Sequence, residues 1–322
     1  MNRREFVAGS LAMSVAAHAA PAWAQSGPLT KIIFPFAAGG SGDALCRLIA
    51  QYLGPALDRN VIVESRTGGD GLIGIRSVKG ATPDGATILV TTGPTMYLLP
   101  MAETVPSFDA KKEFIPVSQL VRFEFAIAAS SAIGVKDFKE LVAWLKANPA
   151  KATYGTPGSG NIPHFTGWQL EQVLGLSMTR VPYRGSALIV NDLIGGHVPF
   201  GITTVSDAIT QHRAGGLKIV AIASAERSSF LPDIPTLTES GVNLVADAWY
   251  GMWLPAGSPP DFAKKLSAAV ADILAKPDVK EKLLALMLVP VGSTPEGLTK
   301  ALAADTAFWQ PIVKATGYRM AN

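Results

Sequence analysis

From Lys31 onward, short runs of β-branched and aromatic residues alternate with stretches whose apolar positions recur every three or four residues. That alternation predicts an α/β protein whose sheets are covered by helices. Residues 31–36, Lys-Ile-Ile-Phe-Pro-Phe, read as a buried strand and residues 37–42 as a tight glycine-rich loop. Leu45, Leu48, Ile49, Tyr52 and Leu53 then follow at helical spacing. Further strands are expected at 61–64, 87–91, 126–129, 200–203, 217–223 and 251–254. Phe138, Leu141, Val142 and Leu145 mark one more helix, and Phe262, Leu266, Val270, Ile273 and Leu274 a late one. Proline and glycine are spread along the chain, with no internal repeat and no single linker. The pattern suggests domains that exchange segments rather than beads on a string.

The first 25 residues break this pattern. Arg3 and Arg4 form a positive head, 7–17 is weakly apolar, and Pro21-Ala-Trp-Ala24 offers the small residues that a signal peptidase reads. Residues 1–24 therefore read as a secretory signal peptide. Arg-Arg-Glu-Phe is similar to a twin-arginine signal, with the Sec route as the alternative. No later run of about 20 apolar residues could span a membrane, so the processed chain is expected to be soluble and periplasmic.

With 322 residues, the chain is long enough for two domains. Its 48% hydrophobic and 16% charged residues exclude a disordered, charge-extended chain. Cys46 is the lone cysteine, which excludes an internal disulfide and leaves no thiolate zinc site. The net charge of +3 comes from scattered basic residues, so the dense stripe needed for nucleic acid is missing.

Several chemistries are absent. His164, His197 and His212 form no HExxH pattern, and there is no GxSxG elbow. Gly155-Thr-Pro-Gly-Ser-Gly160 has the glycine spacing of a phosphate loop, but Asn161-Ile162 stands where the loop needs its lysine. Gly69-Asp-Gly-Leu-Ile-Gly74 matches GxGxxG, yet Thr91 and Thr92 stand where a ribose-binding acid belongs.

What remains is a set of glycine-rich turns that each open a helix: 38–43, 158–161 and 183–186. The first four N–H groups of a helix have no internal partner and carry partial positive charge, so such ends attract carboxylates. Helix capping by Ser41, Asp43, Asn161 and Ser186 is the plain alternative for each turn taken singly. Hydrogen bonds to a charged group contribute about 1.5–3 kcal/mol each. Four or five would approach the roughly −8 kcal/mol of micromolar binding with no metal or cofactor.

At these turns the sequence resembles a known family. Pro35-Phe36-x-x-Gly39-Gly40-x-x-Asp43 followed by Arg47 is similar to the opening of the Bug-type periplasmic solute-binding receptors of tripartite tricarboxylate transporters. In order come Val63-Glu-Ser-Arg66, Pro83-Asp-Gly85, Phe114-Ile-Pro-Val117, Tyr154-Gly-Thr-Pro-Gly-Ser-Gly160 and Pro182-Tyr-Arg-Gly-Ser186. Asp192-Leu-Ile-Gly-Gly196, Leu231-Pro-Asp-Ile-Pro-Thr236, Trp249-Tyr-Gly251, Pro255-Ala-Gly257, Thr294-Pro-Glu296 and Gly317 extend it to the C-terminus.

The resemblance implies a type II periplasmic-binding-protein fold: two α/β lobes joined by two crossover segments, with the ligand cleft between them. Lobe one would comprise 28–125 plus 248–322 and lobe two 126–247. It implies no catalytic residue, metal or cofactor. The partners would be a small organic carboxylate and integral-membrane permease subunits, with the receptor a monomer. A sensor input for a histidine kinase is the alternative reading, and an exported enzyme a third.

By the resemblance, one ligand carboxylate is held by two loops, largely through backbone N–H groups and ordered water. Here those loops fall on Phe36, Ala38, Gly39, Gly40, Ser41 and Asp43, and on Tyr154, Gly155, Thr156, Gly158, Ser159, Gly160 and Asn161. Tyr183, Gly185, Thr203 and Thr204 would complete the distal side, with Thr92 and Gly93 nearby. Asp43 would organise its loop rather than touch an anion. Gly42 stands where a Thr or Ser is usual in the family. His164 reads as a structural residue of a helix start, Cys46 as a small core residue, and Trp249 and Tyr250 as hinge packing or a lid over an aromatic ligand.

Overall fold

The computed structural model describes residues 27–320; the signal peptide assigned to 1–24 lies outside the described residues. The chain opens with β1 (Leu29–Phe34), α1 (Ser41–Leu57), β2 (Asn60–Ser65), α2 (Leu72–Lys79), β3 (Thr87–Thr92) and α3 (Gly93–Ala102). A short α4 (Ala110–Glu113) leads into the long β4 (Phe114–Phe123). After Glu124 come β5 (Phe125–Ser130), α5 (Phe138–Ala147), β6 (Thr153–Pro157), α6 (Ile162–Leu174), β7 (Thr179–Tyr183), α7 (Ser186–Ile194), β8 (Phe200–Thr204), α8 (Val205–Arg213) and β9 (Leu217–Ile222). The chain returns through β10 (Ala248–Pro255), α9 (Pro260–Ala275), α10 (Pro277–Ala285), β11 (Val289–Pro290) and α11 (Pro295–Thr316).

These strands form two sheets, ordered β11-β4-β10-β3-β1-β2 and β7-β6-β8-β5-β9. β1 pairs in parallel with β2 and β3, and β6 with β7 and β8, while β10 and β5 run antiparallel to their neighbours. The chain leaves the first sheet at Glu124 and rejoins it at Ala248, so no one linker separates two halves.

Each expected strand and helix forms, with ends shifted by a few residues. β4 escaped the sequence pattern because Pro116 sits inside it. In the structure Pro116 lies beside a register shift against Met252 and Trp253 of β10, an irregularity that tolerates a residue with no N–H to give. Helix α1 shows why the regular elements were legible. Leu45, Cys46, Ile49 and Leu53 are fully buried on one stripe, each large side chain contributing roughly 1.5–3 kcal/mol by leaving water. Burial also pushes the Cys46 thiol far up, as befits a small core residue.

The sheet termini place the site. Thr92, the last residue of β3, pairs with Tyr250 beside the return crossing, and Thr204, the last of β8, pairs with Phe125 beside the outward crossing. The carboxyl ends of the parallel strands in both sheets therefore face the crossing region, where α/β sheets receive ligands. Among the described residues, no helix is long and apolar enough to cross a membrane.

Candidate functional site

Four helix N-termini converge on the crossing region and bracket two cavities. The first, of about 280 Å³, lies between the start of α3, at Thr92, Pro94 and Thr95, and the start of α6, at Ser159 to Pro163. The second, of about 490 Å³, lies between the start of α1, at Gly39 to Gly42, and the start of α8, at Thr204 and Ser206. In each pair one helix follows a strand of the first sheet and the other a strand of the second. Phe36 lines both cavities.

The two pairs differ chemically. At α3, Thr92 caps the helix by accepting from the Thr95 N–H at 3.2 Å, and at α6 Asn161 accepts from the His164 N–H at 3.1 Å. Pro94 and Pro163 remove one further N–H from each first turn. At α1 and α8 no side chain caps the helix. The first-turn N–H groups there have no intrahelical partner; Val205 N–H donates to the Glu124 carbonyl at 3.0 Å, while Ser206 and Asp207 of α8 and Ser41 and Gly42 of α1 line a cavity shared by both sheets. No lysine, arginine or histidine lines either cavity, and the only charged lining residues are Asp70 and Asp207. An anion held here would meet no countercharge, only helix-start N–H groups and lining hydroxyls such as those of Ser41 and Ser206.

The first loop is shaped for this. Gly39 has φ of +94°, a left-handed conformation that favours glycine, and nothing lies within 4 Å of where a Cβ would stand on Gly39 or Gly40. Asp43, only 5% exposed, accepts from the Gly39 N–H at 3.1 Å and from Arg47 Nε at 2.9 Å through one oxygen. The Arg47 guanidinium holds this carboxyl below the usual carboxylate range. Asp43 thus folds the loop back on the helix start, and it lines neither cavity. Gly42 also has a reason: a Cβ there would stand 2.6 Å from both the Phe34 ring and the Tyr250 hydroxyl.

The second loop is braced from behind. Arg180 Nη1 donates to the Thr156 hydroxyl at 3.2 Å and to the Gly158 carbonyl at 3.0 Å. His164 Nδ1 accepts from the Gly160 N–H at 3.0 Å. Burial first, and then the Arg180 charge, push the His164 pKa down to about 4, so the ring is neutral and free to accept. Tyr318, beyond α11, sets its ring edge-on to His164 at 5.1 Å, and a Cβ on Gly160 would meet it at 2.7 Å.

Of the residues singled out in the sequence, Phe36, Thr92, Ser159, Gly160 and Asn161 meet in the first cavity, and Phe36, Gly39, Gly40, Ser41 and Thr204 in the second. Others line neither of these two cavities. The Tyr154 ring is buried and stacked on Phe200 at 5.6 Å. Gly155 lies against Ile189 and Tyr183, and Gly93 against the Trp249 ring. Thr156 and Thr203 are fully buried. Gly158, at φ +89°, turns the loop and lines neither cavity. Ala38 is exposed outside both cavities. Tyr183, the last residue of β7, donates its hydroxyl to Asp192 at 2.7 Å, and Gly185 follows it at the end of this outermost strand; neither lines the two cavities. These residues shape the loops rather than line the cavities.

Sequence reasoning missed Leu98, Leu99, Phe123, Phe125 and Ala248, which wall the first cavity. The start of α3 did carry a signal in Thr92-Gly-Pro94, a capping residue followed by an early proline. Phe123 and Phe125 flank the outward crossing and had no local signature.

Two α/β layers with ligand-sized cavities at their meeting strand ends define a two-lobed binding protein. The model of the tripartite tricarboxylate transporter family receptor matches residues 45–318, and the chain belongs to that family. It is 28% identical to protein BugT of Bordetella pertussis, with 96% of each chain covered. Among solved structures it is similar to the periplasmic binding protein BugD, at 30% identity and TM-score 0.80, covering 91% of this chain and 98% of that one. It is similar also to Rpa4515 of R. palustris with adipate, at 25% identity and TM-score 0.83, with 91% and 98% covered. MatC of Rhodopseudomonas palustris with bound malate matches at 26% identity and TM-score 0.78, with 89% and 99% covered.

Proposed function

We propose that this protein is a periplasmic receptor that captures a small organic carboxylate between its lobes and delivers it to a membrane permease, with no bond made or broken. The observation that carries the reading is the pair of uncapped helix starts, α1 from one sheet and α8 from the other, facing one cavity with no cation in its lining. Such a site favours a carboxylate oxygen by about 1.5–3 kcal/mol per charged hydrogen bond, and it would do so only when both lobes present their helices together. Adipate and malate in the related structures support the ligand class.

In this reading the lobes are those the resemblance implied, 28–125 plus 248–322 and 126–247, with the outward boundary drawn one residue earlier because Phe125 already pairs in the second sheet. Sheet membership supports that division, with β5 beginning at Phe125. The Arg122–Asp247 ion pair ties the two crossing segments together, a fit place for a hinge. Closure would turn occupancy into a surface that a permease can read. The test is to denature protein isolated from its native compartment and identify by mass spectrometry the small molecules it releases. The reading expects an organic acid near one per protein; a sugar, nucleotide or metal ion at that stoichiometry would reject it.

A further inference from the structure

The cleft carries an ordered row of aromatic rings that the carboxylate reading does not use. Phe36 and Phe34 lie 5.3 Å apart edge to face, Phe34 and Tyr250 6.2 Å, Tyr250 and Phe123 5.1 Å, and Phe123 and Phe125 5.6 Å. The row runs from the loop before α1 to the first residue of β5, so it passes from one sheet to the other. Phe36, Phe123 and Phe125 face the first cavity, and Phe34, Phe36 and Tyr250 the second. Phe36, Phe123 and Tyr250 are each only partly buried as residues, and each lines at least one of the two cavities. The Tyr250 hydroxyl has no hydrogen-bond partner among the described residues and stands beside Gly42, at the start of α1.

Charge sharpens the picture. Two helix starts supply enough positive dipole for one carboxylate. A second carboxylate would meet no cation, and it would lie in a cleft that already holds Asp70 and Asp207. Burying it without a partner is costly. Beyond the helix starts the walls offer neutral hydroxyls, such as those of Ser206 and Thr210, and ring edges and faces, which favour another ring at 4.5–7 Å in offset or edge-on contact.

From this we infer that the ligand is an aromatic monocarboxylate, its one carboxylate at the starts of α1 and α8 and its ring against Phe34, Phe36 and Tyr250, which line the same cavity. The inference rests on the carboxylate-receptor reading and narrows it to a substrate class.

Calorimetric titration of the purified protein tests it, with benzoate, 4-hydroxybenzoate and phenylacetate set against cyclohexanecarboxylate, cyclohexylacetate, adipate and malate. The expected result is that an aromatic acid binds about tenfold or more tighter than its saturated counterpart and than either dicarboxylate, as two aromatic contacts would give. Phe36→Leu, checked for an unchanged melting curve without ligand, should bring the aromatic-to-saturated ratio close to one. Equal binding of the saturated acids, or a ratio untouched by Phe36→Leu, would overturn the aromatic assignment. Tighter binding of adipate or malate would overturn the monocarboxylate class while leaving the receptor reading intact. Failure of every carboxylate would remove that reading and this inference together.

Discussion

Asp43 and His164 do matching work on the two loops: each accepts an N–H from its own glycine turn and so fixes the turn's shape without entering a cavity. Asp43→Ala frees the Gly39 N–H and the Arg47 guanidinium, so ligand affinity should fall about tenfold with a modest drop in melting temperature. Calorimetry and thermal melting of the one variant check both. His164 gives a pH dependence with a definite sign. Its ring titrates near 4 when folded and near 6.5 when unfolded, so the unfolded chain binds the extra proton first. Its contribution to stability is therefore complete above pH 6.5 and is lost progressively as the pH falls toward 4. His164→Gln, which keeps an acceptor for Gly160 but does not titrate, should flatten melting temperature against pH over that window. An unchanged slope would remove His164 from the account.

At the scale of elements, the helix starts decide function, and they were only half legible. Apolar spacing places α1, α5 and α9 plainly, because each buries one stripe against a sheet. Glycine turns point to the starts of α1 and α6, because φ above zero at Gly39, Gly158 and Gly160 requires glycine. Which of those starts remain open to a ligand was not legible, since it depends on whether a side chain folds back: Asn161 does at α6, and nothing does at α1. The aromatic row was also hidden, because Phe34, Phe123 and Tyr250 come together from three separate strands. The C-terminal segment contributes across the sheets as well: Tyr318 packs on His164 and Phe165, and Trp309 lies 6.3 Å from Phe165. Tyr318→Ala should cost about 1 kcal/mol of stability and weaken binding through the 158–161 loop. Urea unfolding and titration read the two effects separately, and a variant with neither would show that α11 does not support the loop.

Over the whole molecule, the packing is unequal on the two faces of the sheets. One core cluster runs from Ile33 and Leu89 of the first sheet through Trp309 of α11 and Phe165 of α6 to Phe200 of the second sheet. On the other face, where α1 and α8 lie, the buried cores are separate, one beneath α1 and α9 and one beneath α7 and α8. Motion between the sheets should therefore pivot on the shared core and open or shut the cavity between α1 and α8. A bound carboxylate should reduce the radius of gyration measured by small-angle scattering, and an unchanged radius at saturation would reject that motion.

The central claim, that open helix starts from both lobes hold a carboxylate, is tested most directly by thermal melting of the wild-type protein and Gly40→Val with benzoate, adipate and malate. Open space around Gly40 and its negative φ of −84° mean that valine should leave the fold intact while standing over the α1 N–H groups. At a hundredfold excess over Kd, at least one acid should stabilise the wild type by about 2.7 kcal/mol, and none should move the variant. An equal shift in both proteins, or none in the wild type, would contradict the account.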